Sequence, residues 1–373
     1  MIKAGFDVVM LTTVHSATDD RIFRREAKTL AEAGLSVCVL GKHPTSESLD
    51  GVWIEALPKP ANRIERFILG WTILKRAQKI GGKLFVFHDP ELFWVALLLR
   101  LLGKKVIYDC HENLPMQLLG KYWIPRLARW PLIPAVWLTE WLSSRLLTGI
   151  IVVTETLQKR FPRKRTILVR NFPPRRELEA LAQGPPVPLR PRVVIYAGGL
   201  TRIRGIRELV EAFRGPDLSD SELWLIGVFG PQQFELEILR SLPQNVKWLG
   251  WKDFREVLRL YQLSKIGVIL YHPGGNHRNC LPAKLFQCLG AGLPVIASNF
   301  PEWASIVDGC GLQVNPFDVS EIRSAIQNLL SDDSTIAEMS RVGRDRVLKS
   351  YCWESEGKKL VEFCSRFISR TAA

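Results

Sequence analysis

Two α/β domains, each built on a parallel sheet, are what this sequence predicts, and three observations carry the prediction. The chain has 373 residues, more than one ordinary hydrophobic core organises. Strand-like apolar runs alternate with helical patterns in both halves, the signature of strand-helix-strand units and a parallel sheet. Between the halves the composition changes to Asn171-Phe172-Pro173-Pro174-Arg175-Arg176 and then Gly184-Pro185-Pro186-Val187-Pro188-Leu189-Arg190-Pro191. Proline at that density does not sit inside a sheet or a helix, so the stretch reads as a linker. Two such domains joined by a hinge leave a cleft between them.

Taken in order, the first half offers strand-like runs at residues 7–12, 36–40, 84–87, 106–109 and 150–154, a helix over 20–33 and a longer apolar run over 92–102. Asp19 or Asp20 supplies the helix cap and Gly34 the stop. After the linker, strands are expected at 193–196, 222–226, 246–249, 266–271, 295–298 and 311–314, with helices over 206–213 and 254–264. Two further helices, 320–330 and 354–368, close the chain. The expected domains are therefore 1–178, joined by the final helix 354–373, and 190–350.

Charge and composition narrow the classes. Of the net +14, the chain up to Arg170 holds 26 Lys and Arg against 15 Asp and Glu, leaving 25 against 22 beyond it. The basic first half predicts an anionic partner surface or substrate. The basic residues are spread along the strand-helix pattern and no recognition motif appears, so nucleic acid is not the expected partner. Seven scattered cysteines, odd in number and mostly in apolar runs, point to a reduced compartment rather than a disulfide framework. The six histidines show no metal-ligand spacing, so no protein-held metal is expected. The N-terminus leads directly into an apolar strand without a secretory pattern, and no apolar run reaches the ~20 residues that span a bilayer.

Two segments are suited to phosphate. Asn276-His277-Arg278-Asn279-Cys280-Leu281-Pro282-Ala283-Lys284-Leu285-Phe286-Gln287 reads as a polar loop and a helix begun at a proline, followed by a Gly-rich stop and the strand Val295-Ile296-Ala297-Ser298. Such a unit presents backbone N–H groups to an anion. Tyr196-Ala197-Gly198-Gly199-Leu200-Thr201-Arg202-Ile203-Arg204-Gly205 follows a buried strand and precedes a helix; its glycines allow close approach and Arg204 forks onto phosphate oxygens. Neither is a GxGxxG dinucleotide fingerprint.

With these residues in view, the chain resembles, over nearly its whole length, the retaining glycosyltransferases of the GT-B fold, family 4, in a polysaccharide-biosynthesis subgroup. The resemblance implies two Rossmann-like domains facing across a cleft, with the C-terminal helix crossing back to the first. It places the donor diphosphate on Gly198, Gly199, Arg204 and Gly205, with Asn276, His277, Asn279, Leu281, Lys284 and Gln287 completing the donor site. It implies no cofactor and no metal, with Arg204 and helix N-termini stabilising the leaving diphosphate. Gln287 departs from the pattern, since the family usually has glutamate there and a carboxylate accepts two ribose hydroxyl bonds at once. A tolerated variant, an altered donor such as an acidic sugar nucleotide, and impaired catalysis remain three readings of it. The acidic donor draws on Asn279, Gln287, His277 and Arg278, which present no carboxylate to repel it.

In the first half, polar clusters follow three strands, where open α/β sheets bind ligands. His111, after the strand that ends at Asp109 and Cys110, is the catalytic candidate, because the resembled family sets a histidine against the donor sugar here. His15, Asp20, Arg21, His88 and Glu112 are acceptor-side candidates. The run 121–142 mixes Trp123, Arg126, Arg129, Trp130, Trp137 and Trp141 with leucines, a composition suited to an anionic lipid headgroup boundary; packing into the domain core is the competing reading. The expectation is a cytoplasmic enzyme, peripheral on the inner face of the cell membrane, that moves a sugar from a UDP- or GDP-linked donor to a lipid-linked or saccharide acceptor. Its rival is a non-catalytic sugar-nucleotide-binding or scaffold protein of the same fold.

Overall fold

Period-two alternation builds each sheet. The computed structural model describes residues 5–119, 126–274, 277 and 280–368. In the first sheet, β1 (Phe6–Ser16) sends Val9 and Leu11 to one face and Val8 and Met10 to the other. The other strands are β2 (Val37–Lys42), β3 (Glu47–Leu49), β4 (Val52–Leu57), β5 (Gly82–Phe87), β6 (Lys105–Cys110), β7 (Gly149–Val152) and β8 (Thr166–Leu168). Their order is β3-β4-β2-β1-β5-β6-β7-β8, parallel throughout except for the β3 and β4 hairpin. Strands buried on both faces need helices on both, and two apolar clusters lie one on each side.

The second sheet contains β9 (Val193–Ala197), β10 (Glu222–Ile226), β11 (Val246–Trp248), β12 (Ile266–Ile269), β13 (Val295–Ser298) and β14 (Gly311–Val314). It is parallel in every pairing and ordered β11-β10-β9-β12-β13-β14. In both sheets the chain builds outward to one side and then returns to the other side of its first strand. The order therefore reverses at β1/β5 and at β9/β12, and the crevice at such a reversal is where open α/β sheets take ligands.

The chain divides into two units, one running to Asn171 and regaining the chain from Trp353, the other spanning Phe172–Cys352. The first domain thus ends before residue 178. The helix Arg175–Leu181 packs in the second, with Leu178 and Leu181 fully buried in its core. Nor is the proline-dense stretch a free tether, because Val187 is buried and the Arg190 guanidinium donates to the carbonyls of Tyr261, Ser264 and Ala291. The closing helix Trp353–Ile368 belongs to the first unit, where Trp353 Nε1 donates to Thr29 Oγ1 at 2.7 Å and Glu356 accepts from the Arg170 amide at 2.8 Å.

Some elements were not legible. The helix expected over 20–33 starts as a π-helix, Asp20–Ala27, capped by Asp19, and becomes α-helical only over Lys28–Glu32. A helix at Asp333–Ser350, capped by Asp332, follows Val319–Leu330 where none was expected. The sequence reading does not include the helix Arg63–Ile80, although Asn62 caps it by accepting from the Glu65 amide and Glu65 in turn accepts from the Ala61 amide. No helix among the described residues is long and apolar enough to cross a membrane.

Candidate active site

In the second unit the reversal point gathers two cations on a glycine turn. The loop after β9 carries Gly198 at φ 142° and Gly199, and the single turn Arg202–Arg204 ends in Gly205 at φ 67°. A Cβ on Gly198 would lie 2.1 Å from Lys284 Nζ, and one on Gly199 2.8 Å from Arg204 Nη1. The positive φ at Gly198 itself favours glycine, and at both positions the missing side chain leaves room for the tips of Lys284 and Arg204 against the backbone. Arg204 donates to the Gly199 carbonyl at 3.3 Å and Lys284 to the Tyr196 hydroxyl at 3.3 Å. Neither pairs with a carboxylate among the described residues.

Aromatic rings wall this pocket. Lys284 Nζ lies 4.5 Å from the Tyr196 ring centroid, Arg204 lies 5.7 Å from that of Tyr271, and the His277 ring packs on Tyr271 at 4.8 Å. Burial, then the charge of Arg204, pushes the Lys284 ammonium down to about 7. Burial and the charges of Arg204, His272 and Lys284 likewise lower His277, keeping it neutral. Two like charges held together with no acid lack only an anion. The helix Ala283–Gly290, which carries Lys284, has no side-chain cap at its start, so its first N–H groups add to the same positive end.

Gln287 sits one turn along from Lys284, and its Nε2 donates to Glu177 Oε1 at 2.8 Å. Asn279, Gln287, His277 and Arg278 present no carboxylate themselves, but helix Arg175–Leu181 sets that of Glu177 against Gln287 from a distant part of the sequence. Leu281 is half-buried against the core. Asn276, Arg278 and Asn279 lie outside the described residues.

In the first unit the loops after β1, β5 and β6 meet in a charge network. Asp89 is buried and accepts from Thr12 Oγ1 and from the amides of Thr13 and Val14 at 2.6–3.0 Å, which ties β1 to β5. His15 stands beside it, Nε2 3.7 Å from Asp89 and Nδ1 3.4 Å from Asp19, and the Asp19 hydrogen bond raises its pKa. At the end of β6, Asp109 takes the Arg21 guanidinium at 3.0 and 3.2 Å, His88 Nδ1 at 3.1 Å and His111 Nε2 at 2.5 Å. Burial alone would raise Asp109, but Arg21 and the two histidines hold it ionised. Burial, then the charge of Asp109, pushes Glu26 well up, so of the two acids on Arg21 it is the one that favours its proton.

Sequence-chosen residues separate here by exposure. His111 is partly exposed with Asp109 behind it, and His88 is buried with Nε2 lacking a partner. Arg21 is fully engaged by Asp109, Glu26 and the Val169 carbonyl, so it is internal structure rather than an acceptor contact. Asp20 is exposed and pairs with Arg25 at 2.7 Å, and Glu112 is exposed. His88, Asp109 and His111 place three ligand-type atoms within 4.8 Å of one another. Arg21 already occupies both oxygens of Asp109, so a cation there would face a fixed positive charge.

The helix Arg126–Leu146 carries Trp130 largely exposed, Trp137 about half exposed, and Trp141 half-buried under Arg145, whose guanidinium is 3.2 Å from the ring. Core packing therefore does not account for Trp130 or Trp137. Trp123 and the side chains of Arg126 and Arg129 lie outside the described residues. Asp109, Tyr196, Tyr271 and Glu177 were not among the residues chosen for the site from sequence. A polar or aromatic residue at the carboxyl end of a strand is the signal that marks the first three, whereas nothing local marks Glu177.

Solved structures share this architecture over almost the entire chain. Sucrose-phosphate synthase from Thermosynechococcus elongatus matches 99% of this chain and 100% of its own at TM-score 0.75 and 19% identity. HepE of Anabaena in complex with UDP-glucose matches 97% and 100% at TM-score 0.70 and 14% identity. The fold is GT-B. Among curated proteins, O-antigen chain mannosyltransferase B of Escherichia coli is 23% identical over 167 residues, 43% of this chain and 42% of that protein. The chain spans less than half the length of the curated relatives it matches. The family model Glycosyltransferase Family 4 matches residues 20–167, and Glycosyl transferases group 1 matches 191–332. With more than three quarters of its length so matched, the chain belongs to the GT-B glycosyltransferases.

Proposed function

We propose that the protein transfers a hexose or modified hexose, with retention of configuration, from a UDP- or GDP-linked sugar to a lipid-linked or saccharide acceptor in envelope or extracellular polysaccharide assembly. The observation that carries the reading is the pair Arg204 and Lys284 converging without a carboxylate on Gly198 and Gly199. A nucleotide diphosphate supplies the missing negative charge, and the UDP-glucose held by HepE is a ligand of that chemistry.

In this reading the two cations, the turn amides and the helix start at Ala283 stabilise the diphosphate as its bond to the sugar breaks. The acceptor oxygen bonds to the anomeric carbon on the same face, and its proton passes to a phosphate oxygen of the leaving group. His111, held by Asp109, orients the sugar. No metal is assigned to the reaction. The second domain is the donor-binding one and the first meets the acceptor, with Trp130, Trp137 and Trp141 docking on an anionic membrane face.

A thermal-shift panel of UDP-, GDP-, ADP- and dTDP-sugars tests the reading, because ligand binding raises apparent stability by mass action. One base is expected to stabilise the protein, and Arg204→Ala to abolish the shift. No shift with any donor sinks the proposal. A shift without turnover on any acceptor favours the scaffold reading.

A further inference from the structure

The helix Arg63–Ile80 is apolar on two sides. Leu69, Ile73, Leu74, Ala77 and Ile80 are buried in the first unit's core. On the outward side Ile64, Phe67, Ile68 and Trp71, spaced i, i+3, i+4 and i+7, are 74%, 54%, 57% and 53% exposed. A helix apolar all round is ordinarily buried all round, and four large side chains in one stripe form a patch, not scattered surface hydrophobes. Two turns of lysine extend the stripe, since Lys75 and Lys79 follow Trp71 at steps of four and are exposed. The one acid on this helix, Glu65, is engaged at the cap by the Ala61 amide and the Asn62 side chain.

The patch adjoins the tryptophan helix. Trp94, on the helix Phe93–Leu101, packs against Phe67 at 5.6 Å and Trp71 at 4.7 Å between ring centroids. From the same helix Arg100 Nε donates to the Leu146 carbonyl at the end of Arg126–Leu146 at 2.9 Å. Three helices in lateral contact thus carry exposed apolar side chains, with Lys75 and Lys79 on the first of them, in the half of the chain that holds most of the net positive charge.

We infer that the outward stripe of helix Arg63–Ile80 inserts into the headgroup layer of an anionic lipid bilayer, with Ile64, Phe67, Ile68 and Trp71 in the acyl boundary and Lys75 and Lys79 on lipid phosphates. Apolar insertion flanked by lysine is the pattern of interfacial helices. The inference deepens the membrane-docking part of the proposed function and rests on it. It assigns the main anchor to a helix other than the tryptophan-rich one.

Flotation with vesicles of phosphatidylcholine alone and with phosphatidylglycerol added, at low and high salt, tests it on the full chain. The wild type is expected to float with the anionic vesicles, less so at high salt. Phe67→Ser with Trp71→Ser is expected to reduce partitioning on the order of tenfold or more, with a small drop in melting temperature from the lost contacts with Trp94 and an unchanged donor-induced shift. A Trp130→Ser, Trp137→Ser protein is expected to lose less. If the Phe67, Trp71 variant floats like the wild type, the inference is overturned while membrane docking stands. If the wild type itself does not float, both fall, and the donor shift still judges glycosyl transfer separately. If the wild type is a dimer by sedimentation and the variant a monomer, the stripe is covered by a second copy and the inference is overturned.

Discussion

Lys284 makes donor binding a proton-uptake reaction. Its ammonium ordinarily titrates near 10.5, and burial plus Arg204 bring it to about 7. At about 1.36 kcal/mol per pH unit that is roughly 5 kcal/mol against the charged form, trimmed to a few by solvent at this half-buried site. A bound diphosphate reverses the balance, because its charge favours the ammonium and raises the pKa again. Above pH ~7 the free protein holds Lys284 neutral and the complex holds it charged, so affinity is greatest below ~7 and falls by up to about tenfold per pH unit above it. A UDP-sugar is the ligand to use, since a diphosphate esterified at both ends does not itself titrate in this range. Calorimetry in buffers of different ionisation heat is expected to show about one proton taken up near pH ~8.5 and a fraction of one near pH ~6. Lys284→Met is expected to abolish both the uptake and the slope. The apo protein moves the other way. The unfolded chain binds the proton more tightly between ~7 and ~10.5, so stability rises with pH across that window, and Lys284→Met stabilises most below ~7. PH-independent affinity with no proton uptake would refute the reasoning.

Other substitutions probe the remaining contacts. Gly198→Ala places a methyl group on Lys284 Nζ at a φ of 142°, and is expected to weaken donor binding about tenfold or more, measured by calorimetry, with about 1–3 kcal/mol of backbone strain. Asp109→Asn leaves the buried Arg21 to Glu26 alone. A loss of about 3 kcal/mol in urea unfolding is expected, and a larger one when Glu26→Gln is added, because Glu26 can no longer ionise to pair with Arg21. Gln287→Glu sets two carboxylates at the 2.8 Å contact with Glu177. It is expected to lower stability by about 1–2 kcal/mol at neutral pH, and Glu177→Gln in the same chain to restore it, as read by thermal melts across pH.

That last pair shows how the sequence and the structure divide the work. Gln287 was visible as an oddity, but the partner that satisfies it lies on a helix within the stretch that reads as a linker, before the expected start of the second domain at residue 190. Local pattern located Gly198, Gly199, Arg204 and Lys284, because glycine, a cation and a helix start each act on their immediate neighbours. It missed helix Asp333–Ser350, where packing of a mixed face outweighs weak periodicity. It missed Arg63–Ile80 because two apolar sides cancel the amphipathic signal. Arg21 looked like a ligand contact and is buried, since its charge is neutralised by Asp109, a residue brought beside it only by the pairing of β1, β5 and β6.

By itself the sequence determined two parallel α/β sheets, a phosphate-suited turn and helix in the second, and a basic first half. These follow from strand and helix periods, glycine, proline and charge, all of which act over a few residues. Only the tertiary structure decided that two cations share one aromatic pocket, that Asp109 gathers Arg21, His88 and His111, and that Ile64, Phe67, Ile68 and Trp71 face outward. The reason is that pKa, pairing and exposure depend on distances between residues far apart in the chain, and those distances exist only once the strands have found their order.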